Sequence, residues 1–192
     1  MTTSAQAYEA AIQKDILISE FSNLRQEQFG RTVFQQGIAG LSFTITAIIA
    51  GVAINQYASD GSSGRESAGL LLMILPIVSI VTGVVYHEQH QSILMVGHYI
   101  RDRIAPLAKQ LAGNEFFDWE VYIRSYPRTR AFRIAMAIGM PLLICGTGVV
   151  ALAASFVPVF FDFGNVGVIL LWLAELAGML WVTFLWIFSR SS

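Results

Sequence analysis

The sequence has few charged residues. Only 13% of its 192 residues are Asp, Glu, Lys or Arg, against roughly 25% in a typical soluble domain. The deficit lies in four almost uncharged runs, which cover residues 32–59, 67–86, 134–161 and 163–189. About 20 apolar residues cross the hydrocarbon core of a bilayer, and lipid offers no partner to unpaired backbone groups. Each run is therefore predicted to be a transmembrane helix, with the lipid bilayer as its surroundings.

Cysteine and recognisable catalytic motifs are also lacking. The one cysteine, Cys145, lies inside the third apolar run and cannot form a disulfide framework alone. The sequence contains no glycine-rich phosphate loop, nucleophile elbow, paired catalytic carboxylates or Cys-x-x-Cys motif. The segments outside the runs are too short to form a separate enzyme core. We therefore expect a protein that is not an enzyme and that uses no cofactor.

These features predict an all-α fold in one polytopic membrane domain, residues 1–192. The expected bundle contains four transmembrane helices, at about residues 34–56, 68–87, 131–157 and 165–188. Helical extensions, an amphipathic helix over 6–31 and a helical loop over 87–130, are expected to form a small cytoplasmic layer. The QYASDGSSGRES stretch between the first two spans is expected to be an external loop.

The distribution of basic residues predicts how the chain is threaded. The amino-terminal residues lack the basic start and apolar core of a cleaved secretory signal, so the first span is expected to direct its own insertion. Most Lys and Arg residues precede the first span or separate the second span from the third. The opposite side holds only Arg65. The positive-inside rule therefore predicts that both termini and the long middle loop are cytoplasmic.

Both extensions carry apolar residues at helical spacing. The first stripe contains Tyr8, Ile12, Ile16, Leu17, Phe21 and Leu24, and the second contains Ile93, Val96, Ile100, Ile104, Leu107 and Leu111. Pro106 is expected to bend or restart the second helix, and Gly113 with Asn114 to end it. We expect the stripes to pack on each other and on neighbouring subunits. An interfacial helix lying on the membrane is the alternative for residues 6–31.

Glu175 is the most informative single residue, because it lies near the middle of the last apolar run, where a charge is costly. It should face the interior of the bundle. One hypothesis makes it a pore-lining or proton-linked residue, together with the polar side chains of Thr46, Thr82 and Thr147. The other makes it a protonated carboxyl that is hydrogen-bonded to one of these threonines and has a structural role.

Two prolines and several small residues point to features of the spans. Pro76 and Pro141 each free a backbone carbonyl and bend a helix, so they are candidate hinges or static kinks. Small residues allow close approach of helices. They occur at helical spacing in the third and fourth spans, at Ala131, Ala135, Gly139, Ala174 and Gly178.

A basic and aromatic cluster in the middle loop is a candidate ligand site. Its members are Arg101, Arg103, Lys109, Trp119, Arg124, Arg128 and Arg130. Guanidinium groups beside aromatic rings suit a nucleotide or a single-stranded nucleic acid. Topology and attraction to anionic lipid explain the same residues without a ligand.

The neighbouring histidines lack the spacing of a HExxH zinc site, so no metal is expected.

Three segments carry a resemblance to known proteins. They are LRQEQFGRTVFQQ, ILPIVSIVTGVVYHEQHQSILMVGHYIRDRIAP and DWEVYIR, and together they resemble uncharacterised small bacterial multi-span membrane proteins. The architecture, spans with a cytoplasmic helical extension, resembles the SLATT-type membrane effectors of bacterial antiphage systems. That resemblance implies a homo-oligomeric channel in the inner membrane, gated through its cytoplasmic layer.

Two functions are therefore expected, and a third, a secondary transporter, is disfavoured because the 192 residues show no clear inverted repeat. The first is a channel or pore-like effector, with antiphage defence as the implied role. The alternative is a non-catalytic membrane anchor or adaptor, which would dock a soluble cytoplasmic partner through its amphipathic stripes.

Overall fold

The computed structural model describes residues 2–59, 61–112, 130–157 and 166–188, and all of them except Met73 are helical. The helices are α1 (Thr2–Ser59), α2 (Gly61–Leu72), α3 (Ile74–Tyr99), α4 (Ala105–Ala112), α5 (Arg130–Val157) and α6 (Val166–Phe188). A π-helical turn, Ile100–Ile104, joins α3 to α4. The predicted all-α fold is confirmed.

The structure supports a protein embedded in a membrane. Three described helical stretches are long and apolar enough to cross a bilayer: Ala11–Ala58, Gly64–Gln110 and Val166–Trp186. A shorter apolar helix covers Leu142–Phe156 within α5. In the most apolar window of the second stretch 44% of residues are buried, against 17% in each of the other two. The helix that contains α3 is therefore the most enclosed by its neighbours.

Helix α1 is much longer than a bilayer is thick. Its 58 residues contain no proline to interrupt the hydrogen-bond ladder. At a rise of about 1.5 Å per residue they extend over about 87 Å, nearly three times the hydrocarbon thickness of about 30 Å. Part of α1 must therefore lie outside the membrane, and the helix predicted over residues 6–31 is present.

The connection between the first two apolar runs differs from the predicted loop. Helix α1 continues to Ser59 and α2 begins at Gly61, so most of QYASDGSSGRES is helical. Glycine and serine lower helix propensity by no more than about 1 kcal/mol each. Ala68 and Gly69 in α2 are buried, and this packing is sufficient to override the local preference.

Three prolines, Pro76, Pro106 and Pro141, lie within the described residues, and they act differently. Pro76 lies in the first turn of α3, where its missing N–H costs no helical bond. The interruption comes before it, at Met73, whose N–H donates to the Gly69 carbonyl at 3.2 Å. Helix α5 passes through Pro141 without interruption. At Pro106, where a bend or a restart is predicted, the helix does not stop: the π-helical turn passes directly into α4 at Ala105.

The π-helical turn accommodates Pro106. A proline at this position has no N–H for the carbonyl of residue 102, and in an α-helix its ring would crowd that carbonyl. The wider turn instead closes with the Ala105 N–H donating to the Ile100 carbonyl. Single π turns of this kind occur mostly inside α-helices and often at functional sites.

The described residues divide into two compact units. We call residues 2–35 and 89–112 the helical pair, and residues 36–59, 61–88, 130–157 and 166–188 the apolar bundle. The core of the apolar bundle is formed by Ala39, Tyr86, Ile144, Cys145, Leu152, Met179, Val182 and Trp186. Helix α1 contributes residues to both units.

The helical pair buries part of the two predicted stripes. Ile100 and Ile104 are fully buried, and the Tyr99 hydroxyl donates to a Glu20 carboxylate oxygen at 2.9 Å. At the other end of the pair, Arg31 Nη1 donates to Gln89 Oε1 at 3.4 Å. In the first turns of α1 the apolar side chains of Tyr8, Ile12 and Ile16 are exposed, and their packing on neighbouring subunits stays a prediction.

The Tyr99–Glu20 contact predicts a pH dependence of the helical pair. The hydrogen bond and negative charge of Glu20 raise the pKa of Tyr99 above its ordinary value of 10.0. The stabilising effect of this hydrogen bond is therefore complete below pH 10 and is lost as the pH rises through the pKa of Tyr99 in the folded protein. We expect wild type to be more stable than Y99F below pH 10, and the difference to disappear at higher pH. Amide hydrogen exchange of the pair between pH 8 and 11 measures this (about three pH units, enough to titrate a tyrosine).

The control for this prediction is Y8F, which alters an exposed tyrosine of the same unit. It should leave the exchange profile unchanged at every pH. A constant difference between wild type and Y99F across the range would contradict the proposed role of the hydrogen bond.

Candidate intramembrane site

Glu175 is enclosed by the apolar bundle, as predicted. It lies near the middle of α6, and only 3% of its surface is exposed. Both carboxyl oxygens are buried, and neither has a hydrogen-bond partner among the described residues. Buried polar groups in proteins are nearly always hydrogen-bonded, so an exception calls for a functional or structural reason.

The helix register shows which residues lie at the same level as Glu175. Helices α3 and α6 run parallel, because Ile80 lies against Gly178, Gly83 against Val182, and the Tyr86 and Trp186 rings are 5.6 Å apart. Counting back one helical turn from the contact of Ile80 with Gly178 puts Glu175 at the same level as Pro76. The level of Glu175 on α3 is thus the first turn of that helix.

Helix α5 runs antiparallel to α6 and encloses Glu175 from another side. The Trp172 indole N–H donates to the Leu152 carbonyl at 3.1 Å, and Met179 approaches Gly148. Residue 175 lies between these two contacts, at the level of Ala151 and Leu152, which are both buried. The carboxyl of Glu175 therefore lies at an apolar level of the bundle.

Several hydroxyl groups of the spans, in contrast, have hydrogen-bond partners. Thr147 donates to the Ile144 carbonyl at 3.0 Å and lies 3.3 Å from the Ser79 hydroxyl. Ser155 and Thr183 donate to the carbonyls of Leu152 and Met179. Such back-bonding is the usual way in which Ser and Thr are accommodated in apolar helices.

The predicted hydrogen bond from a threonine to Glu175 is not formed. Thr147 is engaged with Ile144 and Ser79, as described above. Thr82 is buried on α3 and lines a groove of about 370 Å³ together with Ser42 of α1. Thr46 lies on α1 and is half-buried. The structure thus leaves Glu175 without the neutral partner that the structural hypothesis required.

The chemistry available to this carboxyl follows from its surroundings. Burying an isolated charge in an apolar medium is very costly, so the protonated form is favoured at rest. A neighbouring water or cation would offset that cost and allow the proton to leave. A carboxyl of this kind can bind and release a proton inside the membrane.

Three glycines let the helices around this site approach closely. A Cβ on Gly148 would lie 2.8 Å from Ser79 Cβ, one on Gly83 would lie 2.7 Å from Val182 Cγ1, and one on Gly178 would lie 2.7 Å from Ile80 Cδ1. Of the small residues singled out in the sequence, Gly178 is confirmed as a close contact. Gly139 has open space around it, and Ala174 is exposed.

The predicted small-residue pattern also includes Ala131 and Ala135. The structure describes their helical backbone, and their side chains lie outside what it describes. Gly83 and Gly148 were not predicted as contacts. In the sequence each of them is only a glycine in an apolar run, and such a glycine does not indicate which helix packs against it.

The basic cluster is only partly within the described residues. Arg101, Arg103 and Lys109 are exposed on the helical pair. Asp102 pairs with the Arg101 guanidinium through two hydrogen bonds, and this contact raises the pKa of Arg101. Trp119, Arg124 and Arg128 lie outside the described residues, as does the side chain of Arg130. The described part therefore supplies three cations, one of which is already paired.

The histidines and acidic residues do not form a metal site within the described ranges. No three His, Cys, Asp or Glu side chains lie together there. His87 instead packs edge-on against Trp186, with ring centroids 5.0 Å apart.

Comparison with known proteins finds no family model, no curated protein and no solved structure that matches this chain. The function is therefore argued from the chain's own residues.

Proposed function

We propose that the protein is a homo-oligomeric ion channel of the bacterial inner membrane, with Glu175 as a proton-linked residue of its conducting path. The observation that carries this proposal is the carboxyl itself, which is enclosed at the middle of an apolar helix and has no hydrogen-bond partner in the part of the chain that the structure describes. Retaining such a group costs stability. Ionisable residues inside membranes commonly mark proton or ion pathways.

The proposed topology has four spans and both termini in the cytoplasm. Helix α5 supplies the third of these spans in chain order. Its 28 residues extend over about 42 Å, more than the hydrocarbon thickness of about 30 Å. The asymmetric distribution of Lys and Arg supports the orientation. In this topology the helical pair lies in the cytoplasm.

The helical pair is proposed as the gate. Helix α1 continues from the pair into the apolar bundle without a proline, so the two units share one continuous hydrogen-bonded element. The proposed role of this gate is antiphage defence, which the architectural resemblance to SLATT-type effectors supports. A nucleotide or nucleic acid bound by the basic cluster would then be the signal, with phosphate held by guanidinium groups.

Flux measurements in liposomes test this proposal. The purified protein is reconstituted, and decay of an imposed proton gradient is followed for wild type, for E175Q and for I104A, which leaves a cavity in the core of the helical pair. We expect I104A to increase flux over wild type. E175Q should reduce flux at least about tenfold in either background, because removing an interaction worth about 1.4 kcal/mol changes a rate tenfold.

The matched control is E66Q, which removes an exposed carboxyl on α2. It should conduct like wild type. Liposomes containing I104A that are as tight as protein-free liposomes would refute the channel, and undiminished flux through the E175Q–I104A double variant would refute the role of Glu175.

A membrane adaptor is the second candidate, and one observation favours it. Tyr8 and Ile16 on the first turns of α1 are 71% and 61% exposed, and with Ile12 they form one apolar helical stripe. An amphipathic helix with an uncovered apolar face can dock in a groove of a soluble protein. An adaptor would be silent in the flux assay, and changing Tyr8 and Ile16 to serine would abolish its partner binding.

A further inference from the structure

An apolar groove opens on the apolar bundle at the end where α1 gives way to α2. Helices α1, α2 and α5 line it, and its volume is about 770 Å³. Its walls are built mainly from small or aliphatic residues, including Ala53, Ile54, Ala68, Leu72 and Ala154. Small side chains on all three helices leave the space between them unfilled, and the surface of that space is apolar.

Among the described residues that line the groove, Arg65 is the only charged one. Its guanidinium carbon lies 5.5 Å above the centroid of the Tyr57 ring, which fixes the arginine beside the groove. Within the described residues no carboxylate forms an ion pair with it. The guanidinium is exposed, so its hydrogen-bond donors are available to an anion.

The apolar groove with one cation beside it matches the chemistry of an anionic lipid. We propose that the groove holds an anionic phospholipid, with an acyl chain between α1, α2 and α5 and the phosphate at Arg65. Guanidinium groups bind phosphate through paired, charge-assisted hydrogen bonds. A headgroup without an amine leaves a net negative charge to complement the single arginine, whereas a zwitterionic headgroup does not.

Arg65 has a position suited to a headgroup. It follows the end of the long apolar helix α1 by only a few residues and precedes the apolar part of α2. Arginine near the end of a membrane helix reaches the interfacial region, where lipid phosphates lie. The apolar walls of the groove extend from that level toward Leu72.

Native mass spectrometry of the purified full-length protein tests the proposal. Phosphatidylglycerol and phosphatidylcholine with the same acyl chains are added separately, and bound lipid is measured as a function of concentration. Wild type should bind phosphatidylglycerol about tenfold more tightly than phosphatidylcholine, as expected for a charge-assisted contact. R65Q should lose this preference.

A second pair of variants separates the groove from the rest of the lipid-facing surface. A154F fills the groove and should weaken binding of both lipids, whereas A47F adds the same ring at an exposed position of α1 outside it and should not. Equal lipid preference in wild type and R65Q would overturn the proposal. So would loss of the oligomer in A154F without any change in lipid binding, because the groove would then be filled by a second copy.

Discussion

Replacing Glu175 with leucine is expected to stabilise the protein and to abolish the proton flux that we propose for it. Both carboxyl oxygens are buried with no partner within residues 2–59, 61–112, 130–157 and 166–188, and leaving a buried polar group unsatisfied costs about 1–3 kcal/mol. Leucine has a similar size and no polar atom, so E175L should raise the free energy of unfolding by a comparable amount. Reversible unfolding in mixed detergent micelles, followed by circular dichroism, measures the change.

The E175Q variant distinguishes an unpartnered carboxyl from one with a structural hydrogen bond. E175Q keeps the shape and polarity of the side chain, so its amide is as poorly satisfied as the carboxyl, and its stability should stay close to that of wild type. The expected order of stability is E175L first, with E175Q and wild type together below it. Should E175L be less stable than wild type, the carboxyl must have a partner in the folded protein, and its role would be structural.

A gain in stability together with a loss of flux is the expected pattern for a functional residue. Active and conducting sites commonly hold groups that the fold would be more stable without. A purely structural Glu175 predicts the reverse pattern, in which stability and flux fall together.

Replacing Gly148 with alanine is expected to destabilise the apolar bundle by about 1–3 kcal/mol, the usual cost of overpacking. A Cβ at this position would lie 2.8 Å from Ser79 Cβ and 3.0 Å from Met179 Cε. Because Ser79 Cβ is fixed to its backbone and cannot rotate away, α3 and α5 would have to separate. The same unfolding measurement detects this.

Gly146 provides the matched control in the same helix. A Cβ there would meet nothing within 4 Å, so G146A should be neutral or stabilising by up to about 1 kcal/mol through helix propensity. Equal effects of G146A and G148A would show that α3 and α5 do not meet at Gly148, and would remove the basis for the register around Glu175.

The helical class and the membrane environment could be predicted from sequence because both depend on local composition. Apolar runs without charge leave few alternatives to a helix in lipid, and α1 lacks proline from end to end. The stretch after Ser59 was predicted wrongly as a loop, since glycine and serine are common in loops. Its helical state depends on burial of Ala68 and Gly69, which no local pattern shows.

The candidate site was predictable only in part for a similar reason. The cost of a charge in lipid was enough to predict that Glu175 is buried. Its hydrogen bonding depends on the rotation of each helix, and the sequence offers three threonines without indicating where they point. In the structure Thr147 bonds to Ile144 and Ser79. Likewise, the contacts of Gly83 and Gly148 depend on which neighbour faces them.

The infrared spectrum of the Glu175 carboxyl in lipid bilayers tests the central claim most directly. The difference between wild type and E175Q isolates the carbonyl stretch of this one group. We predict a band of a protonated acid at the high-frequency end of its range, where a carboxyl without a hydrogen bond absorbs, because the group is neutral and unpartnered among apolar helices. A band shifted down by hydrogen bonding, or carboxylate bands alone, would contradict the account.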